Sequence, residues 1–292
     1  MAGGIDPALV DRTATHLAGI PDASLPTRPM TIPGIDGALG ARILSTDLRG
    51  SSTRLVRLRA GWGTEARGAF TADVELFVIQ GSLEAGPHAL EAGDYIHLPK
   101  GRTVPRLRIT ADGAALLMTS APVRYDPTFV GPPADLMPER ASEQDWIPVP
   151  EMPGRHVKPL GRGPVGDVWL GGARQWDHGD GGWHHHPHHE ECFVIDGEIV
   201  LRERTTETDE MITAGAGTYF FRPAGVLHCG PGSHCGDTML AFHRAFGDKS
   251  TEWVDSPADG GEGGSEAANP ARSARPLPRR RHREPPQPPT VD

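Results

Sequence analysis

The sequence predicts an all-β protein made of two tandem barrels followed by a disordered C-terminal tail. Its strongest support is an internal repeat. Phe77-Val78-Ile79-Gln80-Gly81 returns as Phe193-Val194-Ile195-Asp196-Gly197, and Gly93-Asp94-Tyr95-Ile96-His97-Leu98-Pro99-Lys100-Gly101 returns as Gly217-Thr218-Tyr219-Phe220-Phe221-Arg222-Pro223-Ala224-Gly225. Self-similarity of this kind marks a duplicated unit. The second observation is composition: 37 glycines and 29 prolines in 292 residues, about twice the average share of roughly 12%. Many short strands joined by tight turns need such residues, and a helical protein does not tolerate them. Third, the length suits two domains of roughly 100 residues, each able to bury a modest core.

The elements follow in chain order. Residues 1–29 read as a polar extension with a short helix near Pro7 to Leu17. Strand-like alternation opens at Ala41 to Leu44 and returns at Arg54-Leu55-Val56-Arg57-Leu58-Arg59, and Ala115-Leu116-Leu117-Met118-Thr119 closes a first barrel over 30–122. A Pro-rich connection over 123–155 includes Gly131-Pro132-Pro133 and is long enough to wrap one barrel around the other. The second barrel spans 156–248. From 249 to 292 the composition turns to Gly, Glu, Ser, Pro and Arg, which cannot bury enough apolar area to offset the entropy of ordering.

Chemistry concentrates in Trp183-His184-His185-His186-Pro187-His188-His189-Glu190 and in Gly217-x5-Pro223-x-Gly225-x2-His228. Strand side chains alternate faces, so His184, His186 and Glu190, all even-numbered, can point to one side, with His228 arriving from a separate strand. Three imidazoles and a carboxylate are borderline ligands suited to iron, nickel, copper, zinc, cobalt or manganese, and they leave two positions of an octahedral ion open. His185 and His189 have the wrong parity. His188 has the right parity, but Pro187 before it can end the ladder. The competing reading, a surface histidine tract that scavenges metal, does not account for Glu190 at its offset, the apolar run Cys192-Phe193-Val194-Ile195, or the second motif.

The spacing His-x-His-x3-Glu-x6-Gly, from His184 to Gly197, followed by Gly-x5-Pro-x-Gly-x2-His, resembles the two motifs of the cupin superfamily. The resemblance implies small jelly-roll barrels, metal ligation by His184, His186, Glu190 and His228, and, given the repeat, a bicupin. One departure is Gly232, where the second motif usually closes with Asn. Superposing the repeats puts Gly68, Phe70, Val74 and Val104 at the four ligand positions of the N-terminal copy, so that copy is expected to be degenerate and structural. Its His97 and Glu75 align with Phe221 and Glu191, one residue out of ligand register. A weaker resemblance, through Asp145-Trp146-Ile147-Pro148 and Gly154-Arg155-His156-Val157-Lys158-Pro159-Leu160, is to cupins related to the C-terminal domain of the ChrR anti-sigma factor.

Barrel-facing candidates around the metal are Arg174, Trp176, Trp183, Phe221, Arg222 and His243. Of these, Arg174 could pair a substrate carboxylate and His243 could act as acid or base, so Glu190, Arg174 and His243 are the expected catalytic set. Cys192, Cys229 and Cys235 make an odd count, which fits reduced thiols rather than a disulfide framework. The net charge is −9, with six arginines in Ala268 to Asp292 giving that end a net +4. An acidic body excludes nucleic-acid binding over the folded surface. No apolar run approaches the ~20 residues of a membrane helix, and the N-terminus lacks the pattern of a signal peptide, so a cytoplasmic location without membrane contact is expected. The expected partner is a small, metal-chelating organic molecule, and a homodimer is allowed. For a site of this type the resemblance implies a mononuclear non-haem iron dioxygenase. The same ligand set also serves redox-neutral isomerases, decarboxylases and lyases, and a ChrR-like metal sensor is the non-catalytic alternative.

Overall fold

The computed structural model describes residues 10–254. Almost all of its regular structure is antiparallel strand, and the helical content of the described residues is three single 3-10 turns at Arg12–Ala14, Asp22–Ser24 and Ala141–Glu143. One large sheet runs, edge to edge, through Glu139–Arg140, Asp94–Leu98, Val74–Ala85, Leu107–Thr119, Ser52–Leu58, Leu39–Thr46 and Arg28–Met30. The other runs through Leu17–Pro21, Thr218–Arg222, Glu190–Arg204, His234–Ala245, Asp167–Arg174, Arg155–Arg162 and Ile147–Pro148. The five inner strands come in the same order in both sheets, so the repeat in sequence is a repeat of topology. Each unit also has a short second sheet: Gly68–Phe70 between Thr103–Val104 and Tyr125–Asp126 in the first, Trp183–His185 against Glu252–Val254 in the second. The result is a pair of jelly rolls.

Strand alternation sorts the side chains into three cores. Val74, Leu76 and Val78 fill the first barrel, together with Phe70, Ile96, Val104 and Leu117. Cys192, Val194, Phe220, Met239 and Ala241 line the second. Side chains of opposite parity on both large sheets meet between the barrels: Phe77, Tyr95, Leu116 and Met118 against Phe193, Tyr219, Phe221 and Phe242. The rings of Phe77 and Phe242 lie 4.7 Å apart there.

That inter-barrel layer also buries charge in matched pairs. Tyr95 donates to Glu75 and Tyr219 donates to Glu191, each at 2.6 Å. Arg244 bridges the two carboxylates, at 3.2 Å from Glu75 and 2.7 Å from Glu191. Arg12, fully buried, lies 3.8 Å from Glu191 and donates to Ser45 and Thr53. Two carboxylates and two guanidiniums balance, as burial of charge requires.

The expected segment boundaries change in three places. Instead of a helix near Pro7 to Leu17, the described part of the extension has the Arg12–Ala14 turn and then a strand, Leu17–Pro21, that pairs with the strand Thr218–Arg222 of the second barrel through Leu17 opposite Phe221. Leu17 is almost fully buried by that pairing, so hydrophobic contact wins over local preference. Residues 123–155 are not a bare connection: Tyr125–Asp126 pairs with Ala69–Phe70, Glu139–Arg140 with Asp94–Tyr95, and Ile147–Pro148 with His156–Val157. The second barrel also does not end at 248. Glu252–Val254 pairs with the strand that carries His184, so 249–254 belongs to the folded unit rather than to a tail. The rest of the expected tail, with its arginine run, lies outside the described residues.

Candidate metal centre

The local sequence explains how the ligand candidates are brought together. The strand Trp183–His185 is held on one side by Glu252–Val254, while the backbones of His184 and His228 bond each other directly, His228 N–H to His184 carbonyl at 2.9 Å. Pro187 has no N–H to continue a ladder, and the chain leaves strand structure until Glu190, where the long strand to Arg204 begins. Gly225, at φ +86°, makes the left-handed turn before His228, and its N–H bonds the His186 carbonyl at 2.9 Å. The two motifs are thus tied to each other through backbone as well as side chains.

The structure brings His184, His186 and His228 into one buried cluster whose ligating atoms lie within 4.8 Å of one another. Glu190 stands beside them, its Oε2 3.5 Å from His186 Nε2 and 3.7 Å from His228 Nε2. His186 donates through Nδ1 to the Ser250 carbonyl at 2.6 Å and His228 through Nδ1 to the Val226 carbonyl at 3.0 Å, which leaves both Nε2 lone pairs for the centre. His184 Nδ1 is buried without a hydrogen-bond partner among the described residues. Burial, and next the neighbouring imidazole, hold His184 and His228 well below the usual histidine range, and burial also lowers His186, so all three are neutral at pH 7. Burial alone would raise Glu190, but His186, His243 and Arg222 outweigh it and keep the carboxyl well below its ordinary value. Three neutral imidazoles, one of them with an orphaned buried nitrogen, and one anionic carboxylate fit the donor set of a divalent transition metal.

Glu190 is also held from behind. His243 donates through Nδ1 to its Oε1 at 2.9 Å, and Arg222 donates to its Oε2 at 3.2 Å. Arg222 in turn makes two bonds to Glu203 Oε1, at 2.8 and 2.6 Å, and the other oxygen of Glu203 meets His16 Nε2 at 2.7 Å. A line of polar contacts therefore runs from His16 in the N-terminal segment through Glu203 and Arg222 to Glu190. His243 stacks on Trp169 at 5.2 Å, nearly parallel, and burial lowers its pKa. Cys192 lies 3.8 Å from His243 Nε2, and burial pushes its thiol up to about 12, so it is a neutral filler rather than a thiolate ligand.

These groups line one cavity of about 90 Å³ inside the second barrel, whose remaining walls include Met152, Val194, Leu201, Phe220 and Ala241. The segment after the last long strand adds Lys249, Thr251 and Trp253 to its walls, the last with its ring 4.9 Å from His184. At about 10–15 Å³ per water-sized sphere, the space suits a molecule of a few heavy atoms.

Of the expected surrounding residues, His243 and Arg222 line the cavity. Arg174 does not: it is exposed at the end of its strand. Its neighbours show why, since Trp169 and Gly171 face the cavity while Val168 and Leu170 face the other barrel, and Arg174 shares the parity of the latter beyond the point where the barrels touch. Phe221 likewise faces the inter-barrel layer, flanked by the cavity-lining Phe220 and Arg222. Trp176 and Trp183 are buried beside the cavity without lining it: Trp176 lies under Arg155, and Trp183 under Arg202 and Arg204. His188 stacks on His186 at 5.2 Å, outside the cluster, and His185 faces Glu252. Sequence reasoning missed Arg155, Glu203 and Lys249. Glu203 left a signal: Ile199-x-Leu201-x-Glu203 alternates inward, with a carboxylate at the third inward position. The parity of that strand reverses at Gly197, where a bulge and φ of +74° shift the register.

A family model described as a domain of unknown function (DUF4437) matches residues 29–251, and the chain belongs to that family. Solved structures with the cupin fold resemble it at low identity. A candidate dioxygenase of Nostoc punctiforme is 20% identical, with a TM-score of 0.65 over 78% of this chain and 81% of that one. The protein YlbA of Escherichia coli, assigned to DUF861, is 19% identical, with a TM-score of 0.54 over 81% of this chain and 93% of that one. Oxalate decarboxylase of Bacillus subtilis, which has Mn(II) centres, is 11% identical, with a TM-score of 0.58 over 84% of this chain and 81% of that one. No curated protein matches the chain in sequence.

Proposed function

We propose that the chain is a bicupin enzyme with one working barrel, in which His184, His186, His228 and Glu190 hold a single divalent transition metal, with Fe(II) as the native ion and a small oxygenated organic molecule as substrate for a dioxygenase reaction. The observation that carries this reading is the convergence of three desolvated, neutral imidazoles and an anionic carboxylate on the wall of one cavity that His243 also lines. The fold shared with a candidate dioxygenase and with a manganese decarboxylase supports a metal enzyme of this architecture.

When bound, such an ion supplies Lewis acidity and, if redox-active, electrons. The chain supplies the rest. His243 has its Nδ1 proton committed to Glu190, which fixes its tautomer and leaves Nε2 to accept a proton from a substrate in the cavity. Arg222 neutralises Glu190 and, with Glu203 behind it, holds the carboxylate in one orientation. The apolar walls exclude water, which strengthens each of these charges.

The test is anaerobic reconstitution with Fe(II) followed by addition of a β-diketone or hydroxyketone. Oxygen uptake that depends on that substrate, and that Glu190→Ala abolishes more severely than it weakens substrate binding, is the expected result. Oxygen-independent conversion by the manganese, nickel or zinc form would assign the redox-neutral class instead, and binding without turnover across metals and ligands would assign a ChrR-like sensor.

A further inference from the structure

Among the described residues the fully buried cations are paired, whereas two half-buried ones that share one cavity are not. Arg12 and Arg244 face Glu191 and Glu75, and Arg222 faces Glu190 and Glu203. Arg155 and Lys249 line the metal-binding cavity, yet neither forms a salt bridge or a side-chain hydrogen bond among the described residues, and Arg155 Nη1 is fully buried without a partner. Each is positioned by an aromatic ring that fixes its direction but leaves its charge intact: Arg155 lies 5.0 Å over Trp176, and Lys249 lies 5.0 Å over Trp169. Leaving a guanidinium and an ammonium half-buried and without an ion pair against apolar walls is costly, and a ligand of opposite charge offsets that cost.

The charge balance of the chamber points the same way. Among the residues that line the chamber Glu190 is the one carboxylate, against Arg222, Arg155 and Lys249 with three positive charges; Glu203 stands behind Arg222 and offsets it from outside the lining. A neutral substrate would leave that excess standing. Arg155 offers a planar fork suited to a carboxylate, and Lys249 offers a second, point-like charge on the cavity wall.

We infer that the ligand of this cavity is a small organic acid, its carboxylate taken by Arg155 with Lys249 as the second counter-charge, and its other oxygens turned towards the His184, His186, His228 and Glu190 wall. This rests on the reading of that wall as the metal site, and it refines the substrate from any chelating ketone to a keto-, hydroxy- or dicarboxylic acid. Lys249 lies beyond the repeat that defines the barrel, in the segment that anchors His186 through Ser250, so the stretch of chain that fixes a metal-facing imidazole also carries the second counter-charge.

The experiment compares pyruvate with butane-2,3-dione, which has the same two adjacent oxygens and a methyl group in place of the carboxylate oxygen, with oxalate and malonate as further acids. Binding is measured by calorimetry on full-length protein, metal-loaded with Mn(II) and metal-stripped, with metal content determined in every sample. An acid should bind at least roughly tenfold more tightly than the dione, since a charge-assisted pair is worth about that factor or more. Arg155→Leu should erase that preference and Lys249→Met should reduce it, with metal content unchanged in both, while Arg155→Lys should restore part of it. Equal affinity for pyruvate and the dione, no binding of any acid, or a preference that survives Arg155→Leu would overturn the inference. A protein that binds no metal, yet still prefers acids through Arg155 in the stripped form, would sink the proposed metal chemistry and leave this inference standing.

Discussion

The two barrels share strand order and register, yet at four equivalent places one carries Gly68, Phe70, Val74 and Val104 where the other carries His184, His186, Glu190 and His228. In the first barrel those side chains are buried in a continuous apolar core. In the second they face a cavity, with imidazole lone pairs turned to one point beside the Glu190 carboxylate. The difference teaches that topology provides the address and side-chain chemistry decides the use, in line with the separation of fold from function. The layer between the barrels is built the opposite way, because there both copies kept the same polar pair: Glu75 with Tyr95 and Glu191 with Tyr219. The copies diverged inside and stayed alike where they touch.

The largest test of the contrast is removal of a ligand. His186→Ala and His228→Ala should each lower bound metal more than roughly tenfold, because a missing donor leaves the others competing with water, whereas His97→Ala in the first barrel should change metal content not at all. His97 is paired with Asp73 at 2.9 Å, far from any such cluster. Metal analysis of the dialysed proteins decides it, and full occupancy in both ligand variants would show that the assigned tetrad is wrong.

Acid should separate the barrels next. Burial depresses the pKa values of His184, His186, His228 and His243 in the folded state. As the pH falls through about 6.5, the unfolded chain takes up protons that the folded chain refuses, so stability present above that pH declines as it drops towards the folded values. Each imidazole that stays neutral costs roughly 1.4 kcal/mol per pH unit. Below about 4.5 the depressed carboxyls of Glu190, Glu191 and Glu203 add to the loss in the same direction. Metal-free protein moved from about pH 7 to about pH 5.5 should therefore lose hydrogen-exchange protection in 183–245 before 39–119. Simultaneous loss in both would mean that the barrels unfold as one unit.

How far the sequence alone foresaw this contrast depends on where each residue sits in its strand. Parity and spacing picked out the three histidines that the fold clusters and Glu190 beside them, since His184 and Glu190 lie in strands, His186 just past one and His228 after a motif turn. Parity failed where the strands are irregular or run out. Glu203 faces inward only because the bulge at Gly197 reverses the alternation. Arg174 faces solvent because the barrel contact ends before it reaches that position. Arg155 and Lys249 stand at the start of one strand and beyond the end of another, where no periodicity applies, and only three-dimensional convergence reveals them. The buried strand Leu17–Pro21 was hidden by a polar neighbourhood, its partner being supplied from two hundred residues away.

A smaller effect probes the layer the copies share. Arg244 stands opposite Glu191 exactly where Met118 stands opposite Glu75 in the other repeat. Arg244→Met makes the two alike, but strips both buried carboxylates of their common partner, at a cost of about 3–5 kcal/mol. Urea unfolding measures this directly. A loss below about 1 kcal/mol would mean that Arg12 alone can neutralise both glutamates.

The smallest expected effect is the attempt to convert the first barrel. Val104→His should bind no metal, and the full set of replacements at Gly68, Phe70, Val74 and Val104 should fail as well. The obstacle is Gly68: a Cβ added there would lie 2.4 Å from the Asp126 carbonyl oxygen and 2.7 Å from the Tyr125 ring. Tyr125 is itself fixed, packed edge-on against Phe70 at 5.1 Å and donating its hydroxyl proton to the Ala66 carbonyl at 2.6 Å. In the second barrel the corresponding strand carries His184 without such a clash, because its neighbour is Glu252–Val254 rather than a buried tyrosine. The strand over Gly68 therefore closes the first barrel sterically, beyond the loss of its ligands. Metal analysis of the fourfold variant, with and without Tyr125→Ala, tests this. Stoichiometric metal in the variant that keeps Tyr125 would show that the ligands alone distinguish the two barrels.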